Sequence, residues 1–250
     1  MASLTNHSGR ANGRQTRRLG IVTGSGPEAG IDLFAKVLAE HRRALGDAYT
    51  GDIDAPNVTV LSVPELGHSM NLPDTEDEVW THLQEACERV ADQVDVYAIA
   101  CNTLYFFEPK IRALGLSAEL VSPVACIRQE SQRRDGQPLA LLGAAPVTDF
   151  GGGTSPYAGL VEQGVALELH SEPLRVHALV EAIKVEGRST PKLEAEFEGL
   201  VGELTSEAAL LACTELPLLS GERADIELID VTTLLARALV GDPTLAGSGA

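Results

Sequence analysis

Two apolar runs, one in each half of the chain, end in the same way. Val96-Tyr97-Ala98-Ile99-Ala100 stops at Cys101-Asn102-Thr103, and Ala208-Ala209-Leu210-Leu211-Ala212 stops at Cys213-Thr214-Glu215. Short apolar runs bounded by polar residues suit strands that are covered on both faces. A third run, Leu19-Gly20-Ile21-Val22-Thr23, ends in Gly24-Ser25-Gly26-Pro27-Glu28-Ala29-Gly30. It is followed by Ile31, Phe34, Val37 and Leu38 at helical spacing. That is strand, glycine turn and helix, with Pro27 suited to the first helical turn, where its missing N–H has no partner to lose.

The intervening segments extend the pattern. Val58 to Val63 reads as a second strand, Pro64 to Asp77 as a polar loop, and Glu78 to Val94 as a helix leading into the strand that ends at Cys101. The order βαβαβ calls for a parallel sheet with helices on its faces. In the second half, Leu139 to Leu142 reads as a strand ending at Gly143, and Val165 to Leu169 as another. Helices over about 174–185 and 192–204 precede the strand that ends at Cys213. The fold expected is therefore α/β, with two lobes, each a mostly parallel sheet flanked by helices, and a cleft between them. Residues 19–121 with 227–240 are assigned to the first lobe and 122–226 to the second, because the final strand and helix can return to the first. Residues 1–18 read as a disordered basic tail and 241–250 as a flexible one.

Charge and composition remove several functions. The 250 residues carry 19 Lys and Arg against 36 Asp and Glu, for a net charge of -17. Arg10, Arg14, Arg17 and Arg18 stand in a leader with no acid, so the remaining body is more acidic still. Such a surface repels phosphate backbones, and an aromatic content of 4% leaves little for base stacking, so no nucleic-acid partner is expected. No apolar run approaches the roughly 18 residues that span a bilayer, so no membrane partner is expected either. The leader lacks the apolar stretch of a signal peptide, which points to a cytoplasmic protein with reduced cysteines. Cys87, Cys101, Cys126 and Cys213 form no C-x-x-C pair and have no nearby histidine in zinc-ligand spacing, so no metal site is expected.

The glycine turn matches the G-x-G-x-x-A dinucleotide fingerprint, but the acid that would hold a ribose is missing from the end of the second strand, where the first candidate is Glu65. The turn can instead offer N–H groups to a carboxylate, or be a tight turn with no ligand. At Cys101 and Cys213, a helix starting just beyond the thiol would favour thiolate and lower its pKa toward neutrality. One such cysteine alone reads equally as a buried structural thiol. Two in matching positions suggest a pair facing one cleft. A thiolate and a thiol on opposite faces of a carbon acid can invert it, with roles exchanged in the reverse direction. The cleft must then stabilise the carbanion with preorganised amides and cations. Cys87, between Glu85 and Glu88, and Cys126, away from a strand end, read as structural.

Gly24-Ser25-Gly26-Pro27, Cys101-Asn102-Thr103, Leu141-Leu142-Gly143 and Cys213-Thr214-Glu215-Leu216 together resemble the aspartate/glutamate racemase family, in order and over about residues 19 to 240. The resemblance implies two pseudo-symmetric α/β lobes and racemisation of an acidic amino acid, aspartate or glutamate, with no cofactor: neither pyridoxal phosphate, metal nor nucleotide. It makes Cys101 and Cys213 the acid/base pair, and Asn102, Thr103, Thr214 and the turn at Ser25 and Gly26 the substrate contacts. It also implies a homodimer as the usual assembly. Departures concern the substrate. The family's turn often has Met where Ser25 stands, its first cysteine motif often continues Ala-His where Leu104-Tyr105 stands, and its aspartate-specific members place an arginine in the loop after the second strand. Here residues 64–77 contain no Arg or Lys, only His68. Ala144 replaces the threonine after Leu-Leu-Gly, with Thr148 the nearest substitute, and Lys184 matches the lysine of the second lobe. Each has a local alternative: His68 as a solvated loop residue, Thr148 as a turn cap, Lys184 as a cation at a helix end, and Glu215 as a helix cap rather than a ligand for the substrate ammonium. Two other readings stay open: a related racemase or isomerase acting on another small acid or a hydantoin, and a two-lobed protein that binds a small carboxylate without turnover.

Overall fold

A computed structural model describes residues 17–219 and 226–241. The leader up to residue 16 and the tail from 242 lie outside the described residues. Strands β1 (Leu19–Thr23), β2 (Val58–Ser62), β3 (Val96–Ile99) and β4 (Glu119–Leu120) form one sheet in the order β2-β1-β3-β4. Strands β5 (Leu139–Leu142), β6 (Leu167–Leu169), β7 (Ala208–Leu211) and β8 (Glu227–Asp230) form the other, in the order β6-β5-β7-β8. Every pairing is parallel. Advancing each strand number by four turns the first order into the second, so the two lobes are pseudo-symmetric and β3 corresponds to β7.

Parallel strands cannot be joined by hairpins, and helices fill the crossovers, with one more after β8. They are α1 (Pro27–Leu45), α2 (Leu72–Ala91), α3 (Glu108–Ala113), α4 (Pro123–Arg133), α5 (Ala145–Thr148), α6 (Ala158–Glu162), α7 (Pro173–Glu186), α8 (Pro191–Gly202) and α9 (Val231–Leu239). Seven of these carry proline in the first turn, where the absent N–H costs no hydrogen bond. The central strands β1, β3, β5 and β7 are buried along their whole length, as covered faces require. In the second sheet the two-residue period sorts the core. Leu139 and Leu141 join one apolar cluster, while Ala140 and Leu142 join another with α7 and α8. The first cluster is continuous through α4 and α9 into the first lobe, where it takes in Ile21, Val22, Ala98 and Ile99.

Three boundaries differ from the sequence reading. The strand at 227–230, assigned to the first lobe, instead extends the second sheet beside β7, from Ala208 opposite Glu227 to Leu211 opposite Asp230. The return to the first lobe begins only with α9, which packs on α1 and α4. Helix α4, assigned to the second lobe, contributes Cys126 and Ile127 to the cluster shared with the first. The segment read as a polar loop from Pro64 to Asp77 is helical, a 3-10 helix over Pro64–Asn71 running into α2 at Leu72. Its Pro, Gly and polar residues masked the turn. No helix among the described residues is long and apolar enough to cross a membrane.

Candidate active site

The carboxyl ends of β3 and β7 bring the two repeated motifs to one place. Cys101, Asn102 and Thr103 from the first lobe and Cys213, Thr214 and Glu215 from the second line a single cavity of about 10 Å³, which has room for roughly one water molecule. Lys184 reaches into it from the last turn of α7. The two cysteines are 9% and 7% exposed.

The two thiols have different neighbours. Cys101 Sγ donates to Ser25 Oγ at 3.4 Å, and Ser69 Oγ lies 2.9 Å from Ser25 Oγ and 3.9 Å from the sulfur. Both serines are buried, and their hydroxyls are the hydrogen-bond partners of Cys101. Cys213 Sγ donates to Glu215 Oε2 at 2.9 Å, and Thr214 Oγ1 donates to the same oxygen at 3.0 Å. Lys184 Nζ lies 2.9 Å from Glu215 Oε1, an ion pair rather than an aligned hydrogen bond. Burial, and then the adjacent Glu215 carboxylate, push the Cys213 thiol well above its ordinary pKa, against the smaller opposing effect of Lys184. Burial works against the Lys184 charge, but Glu215 and then the two cysteines hold its pKa above the ordinary lysine value. The lowered pKa expected at Cys213 is thus reversed. The motifs run into short 3-10 turns, Thr103–Phe107 and Leu216–Leu218, not into α-helices with a developed dipole.

The glycine turn closes the cleft from the first lobe. Gly24 and Gly26 have φ of 130° and 92°, in the region L side chains avoid. A Cβ on Gly26 would lie 2.6 Å from Glu215 Oε1 and 3.4 Å from Lys184 Nζ. The close approach this turn permits is therefore to a carboxylate of the protein itself.

Two of the remaining candidates stand elsewhere. His68 is exposed, with Nε2 3.7 Å from Glu78 Oε1. Thr148 turns its hydroxyl to the Ala144 and Ala145 carbonyls at 3.5 and 3.4 Å and lines an outer chamber, not the thiol cavity. Three residues were missed: Ser69, Met70, which lines the thiol cavity, and Tyr157, whose hydroxyl donates to Asn102 Oδ1 from the second lobe. Burial holds the Tyr157 hydroxyl well above its ordinary pKa, so it remains a donor. No local pattern in the sequence marks these three; each acts across the fold. All four cysteines are free and buried. Burial pushes the thiols of Cys87, beside Tyr97, and Cys126, whose Sγ faces the Leu234 carbonyl at 3.9 Å, up to about 12. Among the described residues no group of three or more His, Cys, Asp or Glu side chains is placed to hold a metal ion.

Twin parallel α/β lobes that present one strand-end cysteine each to a common cavity define a two-lobed cleft protein with a paired-thiol site. The family described as Asp/Glu/Hydantoin racemase matches residues 22–239, and the chain belongs to that family of isomerases. A search of curated proteins finds no match in sequence. Among solved structures the chain is similar to an aspartate racemase from Picrophilus torridus, at 20% identity and a TM-score of 0.71 over 89% of this chain and 93% of that one. An aspartate racemase homologue from Pyrococcus horikoshii OT3 aligns at 20% identity and a TM-score of 0.65, covering 90% and 97%. A glutamate racemase from Campylobacter jejuni aligns at 21% identity and 0.58, covering 88% and 84%. At these identities the likeness is one of fold.

Proposed function

We propose that the protein is a cofactor-independent racemase that inverts the α-carbon of a free acidic amino acid, aspartate or glutamate, by proton exchange with Cys101 and Cys213. The observation that carries this reading is the convergence of the two thiols, one from each lobe, on one buried cavity. In one direction Cys101, acting as thiolate, takes the α-proton, the Cα–H bond breaks, and the electron pair delocalises into the substrate carboxylate. The protonated Cys213 then delivers its proton to the opposite face, forming the new Cα–H bond and leaving a thiolate. Lys184 supplies the cation that the developing dianion needs, and the amide of Asn102, held by Tyr157, supplies a donor. Glu215 pairs with the substrate ammonium. That pairing draws negative charge away from Cys213 and lets it serve as base in the reverse direction.

A second reading concerns substrate class. Lys184 is the cation lining the thiol cavity, and Glu215 neutralises it. This Lys–Glu pair suits one carboxylate and one ammonium, and leaves no charge for a side-chain carboxylate. On that ground the second reading is a neutral amino acid or another small acid of this superfamily. Incubation of L-aspartate, L-glutamate and neutral L-amino acids in deuterated water, followed by chiral analysis, separates the readings. Cys101→Ser and Cys213→Ser are each expected to abolish racemisation, and Cys87→Ser and Cys126→Ser to leave it nearly unchanged. Full activity in either of the first two removes the two-thiol mechanism, and exchange with no substrate removes the racemase.

A further inference from the structure

Three cavities meet in the cleft, and Met70 lines all of them. The thiol cavity, of about 10 Å³, lies between a chamber of about 230 Å³ beside Gly26, Lys184 and Glu215 and one of about 470 Å³ beside Pro146, Thr148 and His177. Met70 belongs to the first lobe but packs against the apolar cluster of the second. It therefore spans the cleft as a partition.

The backbone around it is fixed. Ser69 is fully buried and bonded to Ser25, the Asn71 side-chain amide donates to Asp74 at 2.9 Å, and the Thr75 hydroxyl donates to the carbonyls of His68 and Asn71 at 2.8 and 2.9 Å. The other walls of the thiol cavity are strand ends, a buried ion pair, and the short side chains of Ala144 and Val147 at the start of α5. The unbranched Met70 side chain, with three rotatable bonds, is the longest and most adaptable of the apolar walls and can yield without breaking a polar contact.

We infer that Met70 is the specificity-determining residue of the cleft. Its side chain closes the thiol cavity on the side of the 470 Å³ chamber, so its length limits how long a substrate side chain can be. The chamber behind it is walled by Pro146, Leu174, Thr148 and His177 with Asp149, a surface that accepts extended uncharged side chains and disfavours a second carboxylate. This inference rests on the racemase reading.

The test is the rate of α-proton exchange in deuterated water for L-aspartate, L-glutamate, L-glutamine and L-methionine, with wild type, Met70→Leu and Met70→Ala, each checked by thermal unfolding. In Met70→Ala the ratio of kcat/KM for methionine over aspartate is expected to rise about tenfold or more, the scale on which a pocket senses one or two methylenes. Met70→Leu, which nearly conserves volume, is expected to hold the wild-type ratio within about threefold. If Met70→Ala does not fold, Met70→Val carries the comparison. A loss shared equally by all substrates, with the ratio unchanged, makes Met70 a packing residue and overturns the inference while leaving the racemase intact. Absence of exchange in the wild type across the panel overturns the racemase reading and this inference with it.

Discussion

Replacing Gly26 by alanine tests a site where the first lobe's turn meets the second lobe's ion pair. At φ 92° an L side chain costs roughly 1–2 kcal/mol of backbone strain. The new Cβ also meets Glu215 Oε1 at 2.6 Å, well inside normal contact, with Lys184 Nζ at 3.4 Å. Glu215 must retreat, and its retreat moves the oxygen that accepts from Cys213 at 2.9 Å and from Thr214 at 3.0 Å. A displacement of this order in a reacting group costs about a hundredfold in rate. Strain of this size lowers Tm by about 2–8 °C in a chain of this length. The expected signature is thus a modest loss in Tm, read by calorimetry, with a disproportionate loss in kcat/KM, read by chiral chromatography of a racemised substrate. Gly24→Ala supplies the contrast. There the Cβ falls 1.9 Å from the Val63 carbonyl oxygen, a clash within the first lobe that does not touch the ion pair, so stability suffers first. Gly26→Ala with kcat/KM within about threefold of wild type refutes the idea that contact between the turn and the Lys184–Glu215 pair sets the active geometry.

Other outcomes follow from the buried groups. Burial keeps Cys87 and Cys126 protonated in the folded chain up to about pH 12, whereas the unfolded chain releases those protons above about pH 9. Stability therefore falls as pH rises through that window, by roughly 1.4 kcal/mol for each thiol at pH 10. Denaturant unfolding at pH 8 and pH 10 measures this loss, and it should shrink by about 3 kcal/mol in a Cys87→Ala, Cys126→Ala double variant. An equal loss in that variant and wild type refutes the assignment. Tyr157→Phe leaves the buried Asn102 Oδ1 without its donor and is expected to cost about 1–3 kcal/mol in urea unfolding. A change below about 0.5 kcal/mol shows that the bond is not needed to hold Asn102.

What the sequence revealed depended on whether the cause was local. The strands ending at Cys101 and Cys213 were legible because a strand covered on both faces must be apolar throughout, and the repetition of their polar endings marked the pair. The strand at Glu119–Leu120 was too short to stand out, and α3 and α4 announce themselves only by Pro109 and Pro123 in their first turns. The assignment of β8 to the first lobe failed because which edge a strand joins is decided by packing, which its own residues do not encode. Within the site, the cysteines and their neighbours in sequence were legible. Ser69, Met70 and Tyr157 were not, since their partners lie far away along the chain: Ser25 is 44 residues from Ser69, and Asn102 is 55 from Tyr157. The electrostatics of Cys213 were misjudged for a similar reason. The sequence places a helix start behind the thiol, but only the folded chain turns Glu215 back onto the sulfur.

The apolar cluster that runs unbroken through α4 and α9 also bears on how the chain comes together. Helix α9 supplies Leu234, Leu235, Ala236 and Leu239 to a core whose other members begin at Leu19. The first lobe cannot finish burying its interior until α9 has been synthesised, although its own sheet is complete by Leu120. On a ribosome, nearly half of the chain must emerge while part of that surface waits for its cover, and the lobes reach their final stability together, as a single cooperative unit.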